Sequence, residues 1–243
     1  DMREQGVSAI IVLGGDGTHR AVVSACGEVP IAGISTGTNN AFPEHREPTI
    51  TGLAVGLAVT GRVPRRIAEV GNKRLVVTVG ERQEIALVDV AVVAERYVGA
   101  RALWRPDTFR ELFVTFADPE VIGMSAIAGL LRPVSRRDEH RLHVRFASDG
   151  EAAFTVDTPI APGFMRRIAI DSVRRLGAGR PIAPMVAAGS IALDGERELS
   201  FDEDQNVTVA LECDAFRTID VGACMKYAAR KGLMRNRGPG WAH

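Results

Sequence analysis

Short apolar runs bounded by glycine dominate the first quarter of the chain. Residues 9–13 read Ala-Ile-Ile-Val-Leu, which is typical of a buried parallel strand, and residues 18–25 fit a helix that begins at the carboxyl end of that strand. A second strand, a second loop and a helix over residues 51–61 follow, with Gly61 as a plausible stop. This order of elements predicts an α/β fold for the first 61 residues.

After Pro64 the pattern changes to short segments that alternate between apolar and polar residues or are rich in β-branched residues. Such segments are typical of antiparallel strands. We expect strands over residues 66–70, 75–79, 85–93, 142–146, 152–156, 167–170, 190–193, 198–201 and 207–212, with turns at Gly71-Asn72 and Asp194-Gly195.

Two further regions are expected to be helical. Residues 107–131 are rich in apolar residues at mixed spacing, and Asp118-Pro119 is a typical helix start, so one or two helices are predicted there. Residues 222–233 should form a last helix. The fold class that follows is α/β plus all-β, with an α/β domain followed by an antiparallel β-sandwich-like domain and a boundary near Val63.

Composition narrows the classes of function. The chain has 243 residues, 46% of them hydrophobic, which is enough to bury a full core. Its 30 basic and 30 acidic residues give no net charge, so no field steers it to nucleic acid or to an anionic membrane, and neither partner is expected. Its 3 cysteines are widely spaced, which suggests neither a disulfide framework nor a zinc site and fits a cytoplasmic location.

Two glycine-rich loops carry the clearest chemistry. The first, Gly14-Gly15-Asp16-Gly17-Thr18, comes directly after the first predicted strand, and the second occupies residues 33–40. Glycines let the backbone approach a phosphate closely and adopt positive φ where needed, and the free N–H groups at a helix start attract anionic oxygens. The two loops therefore predict a phosphate site. A carboxylate does not bind phosphate directly, so Asp16 is expected to hold a cation, orient a hydroxyl or accept its proton.

These loops resemble those of the superfamily that joins NAD kinases, diacylglycerol kinases and sphingosine kinases, whose signature is GGDGT. The segment Thr-Gly-Thr-Asn-Asn-Ala-Phe-Pro, residues 36–43, is closest to the subgroup called acetoin catabolism protein X. Weaker matches lie at residues 86–93, around Asp89, and at residues 191–196, where Asp-Gly-Glu is similar to a motif of the lipid kinases.

The resemblance implies an NTP-dependent small-molecule kinase of the ATP-NAD kinase type, with ATP as donor, Mg²⁺ as cofactor and a link to acetoin catabolism. It implies that Asp16 is catalytic. The residues it assigns to the nucleotide cofactor are Gly14, Gly15, Gly17, Thr18, Thr36, Gly37, Thr38, Asn39 and Asn40. Its candidate contacts to a small-molecule nucleotide substrate are Asp89, Asp194 and Glu196. NAD kinases are typically oligomers, so a homo-oligomer is expected.

The same resemblance implies how the chain is divided. Residues 1–62 would be an α/β nucleotide-binding domain, residues 63–220 a β-rich substrate domain, and residues 221–243 a helix and tail that pack back on the first domain. The family normally has a βαβ-type stretch before the GGDGT strand, whereas this chain begins eight residues before that strand. We therefore expect the upstream portion of the first domain to be missing.

Each site assignment has a structural alternative. Asp16 could be a helix cap, and residues 36–39 could form an Asx or Ser/Thr turn without a ligand. Asp89 could make a structural hydrogen bond, and Asp194 could serve only a hairpin turn. The pair Arg136-Arg137, one of four arginine pairs, could clamp a phosphate or lie on a solvated surface.

Two other functions compete with the small-molecule kinase. A lipid kinase of the diacylglycerol type would use the same loops, although no amphipathic stretch of the chain is clearly suited to a bilayer surface. A non-catalytic nucleotide-binding sensor or accessory protein is the third hypothesis. It is motivated by Val88, which stands where NAD kinases have Asn, and by residues 157–163, which keep a trace of their T-P-T-G-S loop.

Overall fold

Two β-sheets packed face to face form the body of the protein. The structure is a computed structural model that describes residues 2–37, 40–94, 108–121, 123–147, 152–161, 163–179, 181–195 and 197–235. In chain order its elements are β1 (Ile10–Gly14), α1 (Asp16–Cys26), β2 (Ile31–Ser35), α2 (Pro48–Val59), α3 (Arg65–Ala68), β3 (Glu69–Val79), β4 (Arg82–Ala86), β5 (Asp89–Val93), β6 (Phe109–Val114), α4 (Met124–Leu131), β7 (His140–Phe146), β8 (Phe154–Ala161), β9 (Phe164–Gly177), β10 (Gly189–Leu193), β11 (Arg197–Phe201), β12 (Val207–Ile219) and α5 (Val221–Lys231).

The first sheet has five strands in the order β1-β2-β12-β3-β4. β1 and β2 are parallel, β12 joins β2 in parallel at Thr218 opposite Ile31, and β3 and β4 continue the sheet antiparallel. Helix α1 covers one face of the parallel end, and α2, α3 and α5 cover the other. The two glycine loops follow the carboxyl ends of β1 and β2, where ligands of α/β sheets collect.

The second sheet has seven antiparallel strands in the order β11-β10-β5-β6-β7-β9-β8. One face packs on β3 and β12 of the first sheet through a shared apolar core that includes Leu75, Val77, Phe113, Ile191 and Val209. Helix α4 packs on the opposite face. Burial of apolar surface on both faces of this sheet is the main source of stability here.

The predicted fold class is confirmed: an α/β portion precedes an antiparallel β portion. The five-stranded sheet combines β1 and β2 with strands from beyond residue 62, so the predicted boundaries do not separate two sheets. Those boundaries stay predictions. In the described part of the chain, no helix has the length and apolar content needed to span a membrane.

The prediction of one or two helices within residues 107–131 is confirmed by the single helix α4, but the helix start expected at Asp118-Pro119 is wrong, and the first part of the segment is a strand. Residues 109–114 form β6, a central strand between β5 and β7, and α4 begins at Met124. Because both faces of β6 are buried, apolar residues stand at successive positions and no alternation marks a strand. Its one carboxylate, Glu111, is buried against His143 Nε2 at 2.9 Å and accepts the N–H of Met185 at 2.7 Å.

Two smaller predictions near residue 70 are also wrong. Residues 65–68 form the short helix α3, because the carbonyl of Pro64 accepts the N–H groups of Ile67 and Ala68. Gly71-Asn72 is not a turn but lies inside β3, opposite a bulge in β12 at which Asp214 has a φ of 52°. A Cβ atom on Gly71 would meet the exposed Asp214 side chain, which would have to move aside for any other residue.

Candidate functional site

The first glycine loop places a helix start at the carboxyl end of β1. Gly15 is the N-cap of α1, with φ −91° and ψ −170°, and no side chain caps the helix. The first N–H groups of α1 therefore lack intrahelical partners and can attract an anion. Gly17 lies in the first turn, and Thr18 packs on Gly14, where a Cβ atom would lie 2.6 Å from the threonine side chain.

The second loop reaches the first through Asn40. Its amide nitrogen donates to Ser35 Oγ at 2.9 Å, and its side chain lies between Gly15 and Gly37, where added Cβ atoms would come within 2.7 Å of it. None of Gly14, Gly15 and Gly37 has a positive φ. Gly15 and Gly37 are therefore explained by the close approach of the two loops, and Gly14 by its contact with Thr18, rather than by a left-handed conformation.

Asp16 joins the first loop to Ala41 and Phe42, the two residues that directly follow the second loop. Its Oδ2 accepts the N–H of Ala41 at 3.0 Å, and its Oδ1 accepts the N–H of Phe42 at 2.8 Å. The residue is only 8% exposed. The carboxylate is thus fixed by the second loop, and each oxygen keeps a second lone pair for a further hydrogen bond.

His19 supports the first loop from the next turn of α1, and the sequence analysis missed it. Its Nδ1 lies 2.8 Å from the carbonyl oxygen of Gly15, which can only accept, so Nδ1 carries the proton. The ring is fully buried beside Phe42, and its Nε2 has no hydrogen-bond partner among the residues that the structure describes. Burial lowers the pKa of His19, which favours this neutral form.

Arg136 holds the second loop from the other side. Its Nη2 donates to the carbonyl of Ala41 at 2.6 Å and its Nη1 to that of Phe42 at 2.8 Å. The guanidinium also lies over the ring of Phe116, 4.2 Å from the centroid. From the sequence, this arginine is expected to clamp a phosphate or to lie on the surface. In the structure it donates hydrogen bonds to backbone carbonyls instead.

The predicted residues Asp89 and Asp194 lie in the interior, close to Asp16. Asp194 occupies the tight turn between β10 and β11, with φ 51°, and its carboxylate accepts the N–H groups of residues 87–89 at 2.8–3.2 Å. Arg20 Nη1 donates to Leu193 O at 2.6 Å and to Asp194 Oδ2 at 3.3 Å. The turn between β10 and β11 is thereby anchored to the crossover between the two sheets.

Burial governs the ionisation of these two carboxyl groups. It raises the pKa of Asp194 to about 6, against the hydrogen bonds from Val88 and Leu87 and the charge of Arg20. It also raises the pKa of Asp89, and the negative charges of Asp194 and Asp16 add to that increase. Among the described residues, the buried Oδ1 of Asp89 has no hydrogen-bond partner. The charge of Asp16 thus acts on both Asp89 and Asp194, and the charge of Arg20 lowers the pKa of each of these two carboxyl groups.

The remaining predicted site residues lie on the surface or outside the described part of the chain. Thr36 is exposed, directly after β2. Thr38, Asn39 and Glu196 lie outside the described residues. Arg137 donates to Asp220 at 3.2 Å on the surface. Among the described residues, no group of three or more His, Cys, Asp and Glu side chains could hold a metal ion.

Cavities lie at both ends of the parallel strands β1 and β2. One of about 150 Å³ lies behind the second loop, between Phe42, Asn72, Arg136 and Thr218, and the first glycine loop does not line it. It is too small for a nucleotide, which needs roughly 300 Å³ or more. A larger cavity of about 580 Å³ lies at the opposite, amino-terminal end of β1 and β2, lined by residues such as Ser8, Pro30 and Val63.

The sequence and the fold of this chain are similar to those of known proteins, and the matches agree with one another. The family model of the ATP-NAD kinase N-terminal domain matches residues 1–61, and that of the acetoin catabolism protein X C-terminal domain matches residues 73–214. Acetoin catabolism protein X of Cupriavidus necator is 55% identical over 240 residues, which are 97% of this chain and 67% of that protein. The crystal structure of yeast NADH kinase complexed with NADH matches with a TM-score of 0.54 and 13% identity, covering 98% of this chain and 69% of that one. At this identity the last match shows the fold alone, and it confirms the expected NAD kinase-like fold.

Proposed function

This chain belongs to the acetoin catabolism protein X family, and from that premise we propose that it is an NTP-dependent kinase of the ATP-NAD kinase type. It would phosphorylate a hydroxyl group of NAD or of a related metabolite, with a link to acetoin catabolism. The single observation that supports this best is the junction of the two glycine loops at Asp16, which puts a fixed carboxylate beside helix N–H groups that have no intrahelical partner.

Each part of the junction would have a separate task. The N–H groups at the start of α1 would stabilise the donor phosphates, and the glycines would leave room for them. Mg²⁺ would enter with the nucleotide, held chiefly by its phosphates, as this ion prefers. Asp16 would accept a hydrogen bond from the acceptor hydroxyl with a free lone pair and orient it, or take its proton as phosphoryl transfer proceeds.

A specific observation favours a second function, a nucleotide-binding sensor or accessory protein without turnover. Both oxygens of Asp16 already accept backbone N–H bonds, and Asp89, a candidate substrate contact, is buried. Such a protein would bind Mg-ATP at the loops without transferring its phosphoryl group. Saturable Mg-ATP binding without transfer to any acceptor would favour this function over the kinase.

The kinase proposal is tested by NADP⁺ formation from Mg-ATP and NAD⁺, measured with an NADP-specific dehydrogenase. We expect turnover by the wild type and a loss of about 100-fold or more in Asp16→Asn, because the amide is a poor base and its NH₂ group would face a loop N–H. Asp204→Asn, the same change at an exposed turn, is the matched control and should leave turnover unchanged. Wild-type turnover in Asp16→Asn would remove Asp16 from the mechanism.

A further inference from the structure

We propose that Arg136 is a positioning residue for this site, which holds the second glycine loop in the geometry that fixes Asp16. The inference rests on the proposed function. Arg136 belongs to the connection between α4 and β7, far from either glycine loop in the sequence, and neither loop motif includes it. Its role therefore follows from contacts that form only in the folded chain.

One peptide group links the two charged side chains. The C=O of Ala41 accepts from Arg136 Nη2, and the N–H of Phe42, which belongs to the same peptide, donates to Asp16 Oδ1. The guanidinium and the carboxylate thus pull on opposite ends of one amide dipole, so each hydrogen bond strengthens the other. The neighbouring backbone groups pair in the same way. The N–H of Ala41 donates to Asp16, and the C=O of Phe42 accepts from Arg136. Pro43 comes next and has no N–H to satisfy.

The surroundings of Arg136 suit a planar guanidinium and not an ammonium group. Its two terminal nitrogens reach two carbonyls at once, while its Cζ atom lies 4.2 Å from the ring centroid of Phe116 and 5.1 Å from that of Phe42. A lysine would have to reach both carbonyls from a single nitrogen, and its ammonium group has no plane to stack on the two rings. The structure thus specifies arginine at this position, rather than any positive charge.

The turn that carries Arg136 is fixed to the first sheet. Lys73 of β3 donates from Nζ to the carbonyls of Ser135 and His140, at 3.1 and 2.9 Å, and so closes the turn that carries Arg136. Arg136 is consequently held at both ends, by the turn at its backbone and by the loop at its guanidinium. A shift of about 1 Å in a reacting group can reduce turnover about 100-fold, so the precision of this link matters for Asp16.

The test uses Arg136→Lys, Arg136→Met and the matched control Arg137→Met, whose wild-type side chain is 72% exposed. In the NADP⁺ assay we expect kcat to fall about 10- to 100-fold in both Arg136 variants. The KM for ATP should stay within about threefold, because the phosphate-binding N–H groups are on α1. Arg137→Met should match the wild type. An unchanged kcat in Arg136→Lys would overturn the proposal.

A second measurement does not depend on activity. We expect amide hydrogen exchange at Ala41 and Phe42 to be at least about tenfold faster in Arg136→Lys than in the wild type, while Leu112 in the central strand exchanges unchanged. Unchanged exchange at both loop amides would overturn the positioning role. If the wild type transfers no phosphoryl group, the proposed function fails, and this exchange comparison still decides whether Arg136 positions the loop. Arg136→Lys, the milder change, keeps the test intact if Arg136→Met does not fold.

Discussion

The carboxylate of Asp194 fixes the backbone of residues 87–89 by accepting their N–H groups. Three consecutive N–H groups and Arg20 stabilise its charged form, yet its burial outweighs them and raises its pKa to about 6. A residue that resembles a substrate contact in sequence therefore has a definite structural task. It anchors residues 87–89, through which the chain crosses from β4 in one sheet to β5 in the other.

The raised pKa of Asp194 predicts a pH-dependent stability. Because the folded-state pKa lies above the ordinary 3.8, the stability gained from holding the proton is complete below about pH 4 and is lost as the pH rises through 6. Asp194→Asn cannot titrate at this position. We expect the free energy of unfolding of the wild type, minus that of the variant, to fall by up to about 3 kcal/mol between pH 4 and pH 7. Urea denaturation across this range measures it, and parallel pH profiles would contradict the assigned pKa.

At the scale of elements, strand β2 and helix α1 meet at a contact that only glycine permits. A Cβ atom on Gly33 would lie 2.6 Å from His19 Nε2 and 3.4 Å from Pro43 Cβ. The ring is fully buried, and moving it would break the hydrogen bond between His19 and Gly15. The glycine of β2 is therefore linked to the conformation of the first loop.

This contact predicts that Gly33→Ala destabilises the protein by about 1–3 kcal/mol, as expected for overpacking of a core. Gly56→Ala is the matched control, because Gly56 is exposed inside α2 with no atom within 4 Å of an added Cβ. It should stabilise the protein by about 0.5–1 kcal/mol, since alanine favours a helix more than glycine does. Chemical denaturation compares the two, and equal effects would show that His19 moves without cost.

The elements that were predictable are those whose signal is local. The strand, glycine loop and helix of β1 and α1, and the hairpin at Asp194-Gly195, are each marked by adjacent residues. β6 was not predictable, because a central strand buried on both faces loses its alternation. The turn expected at Gly71 is wrong for a different reason, since this glycine pairs with β12 beside a bulge that lies far along the chain.

In the candidate site, too, the sequence marks the residues with a local signal and not those that meet only in the folded chain. The motifs identify the two loops and Asp16, but the groups that fix Asp16 lie 25 and 26 residues further on. Arg136 is more distant still, 94 residues from Phe42. No spacing rule connects residues so far apart, so neither its pairing with the loop carbonyls nor the burial of Asp89 and Asp194 could be derived from the sequence.

On the scale of the whole molecule, the site depends on both sheets. The loops follow strands of the first sheet, whereas Asp194 and Arg136 come from connections of the second, and a shared apolar core joins the two sheets. Arg20 and Lys73 add polar links across the same junction. We therefore regard the carboxyl ends of β1 and β2 as one site built by the complete fold, while the larger cavity at their amino ends is separate from it.

The central claim is that the two glycine loops form the nucleotide site, and amide hydrogen exchange with and without Mg-ATP tests it most directly. We predict slower exchange at the described residues of both loops and of the segment that follows the second, 14–18, 36–37 and 40–42, and no change at residues 28–29, 58–63 and 65–69 beside the larger cavity. The free N–H groups at the start of α1 should be among the most strongly protected. Protection beside the larger cavity, or none at the loops when Mg-ATP is saturating, would contradict the claim.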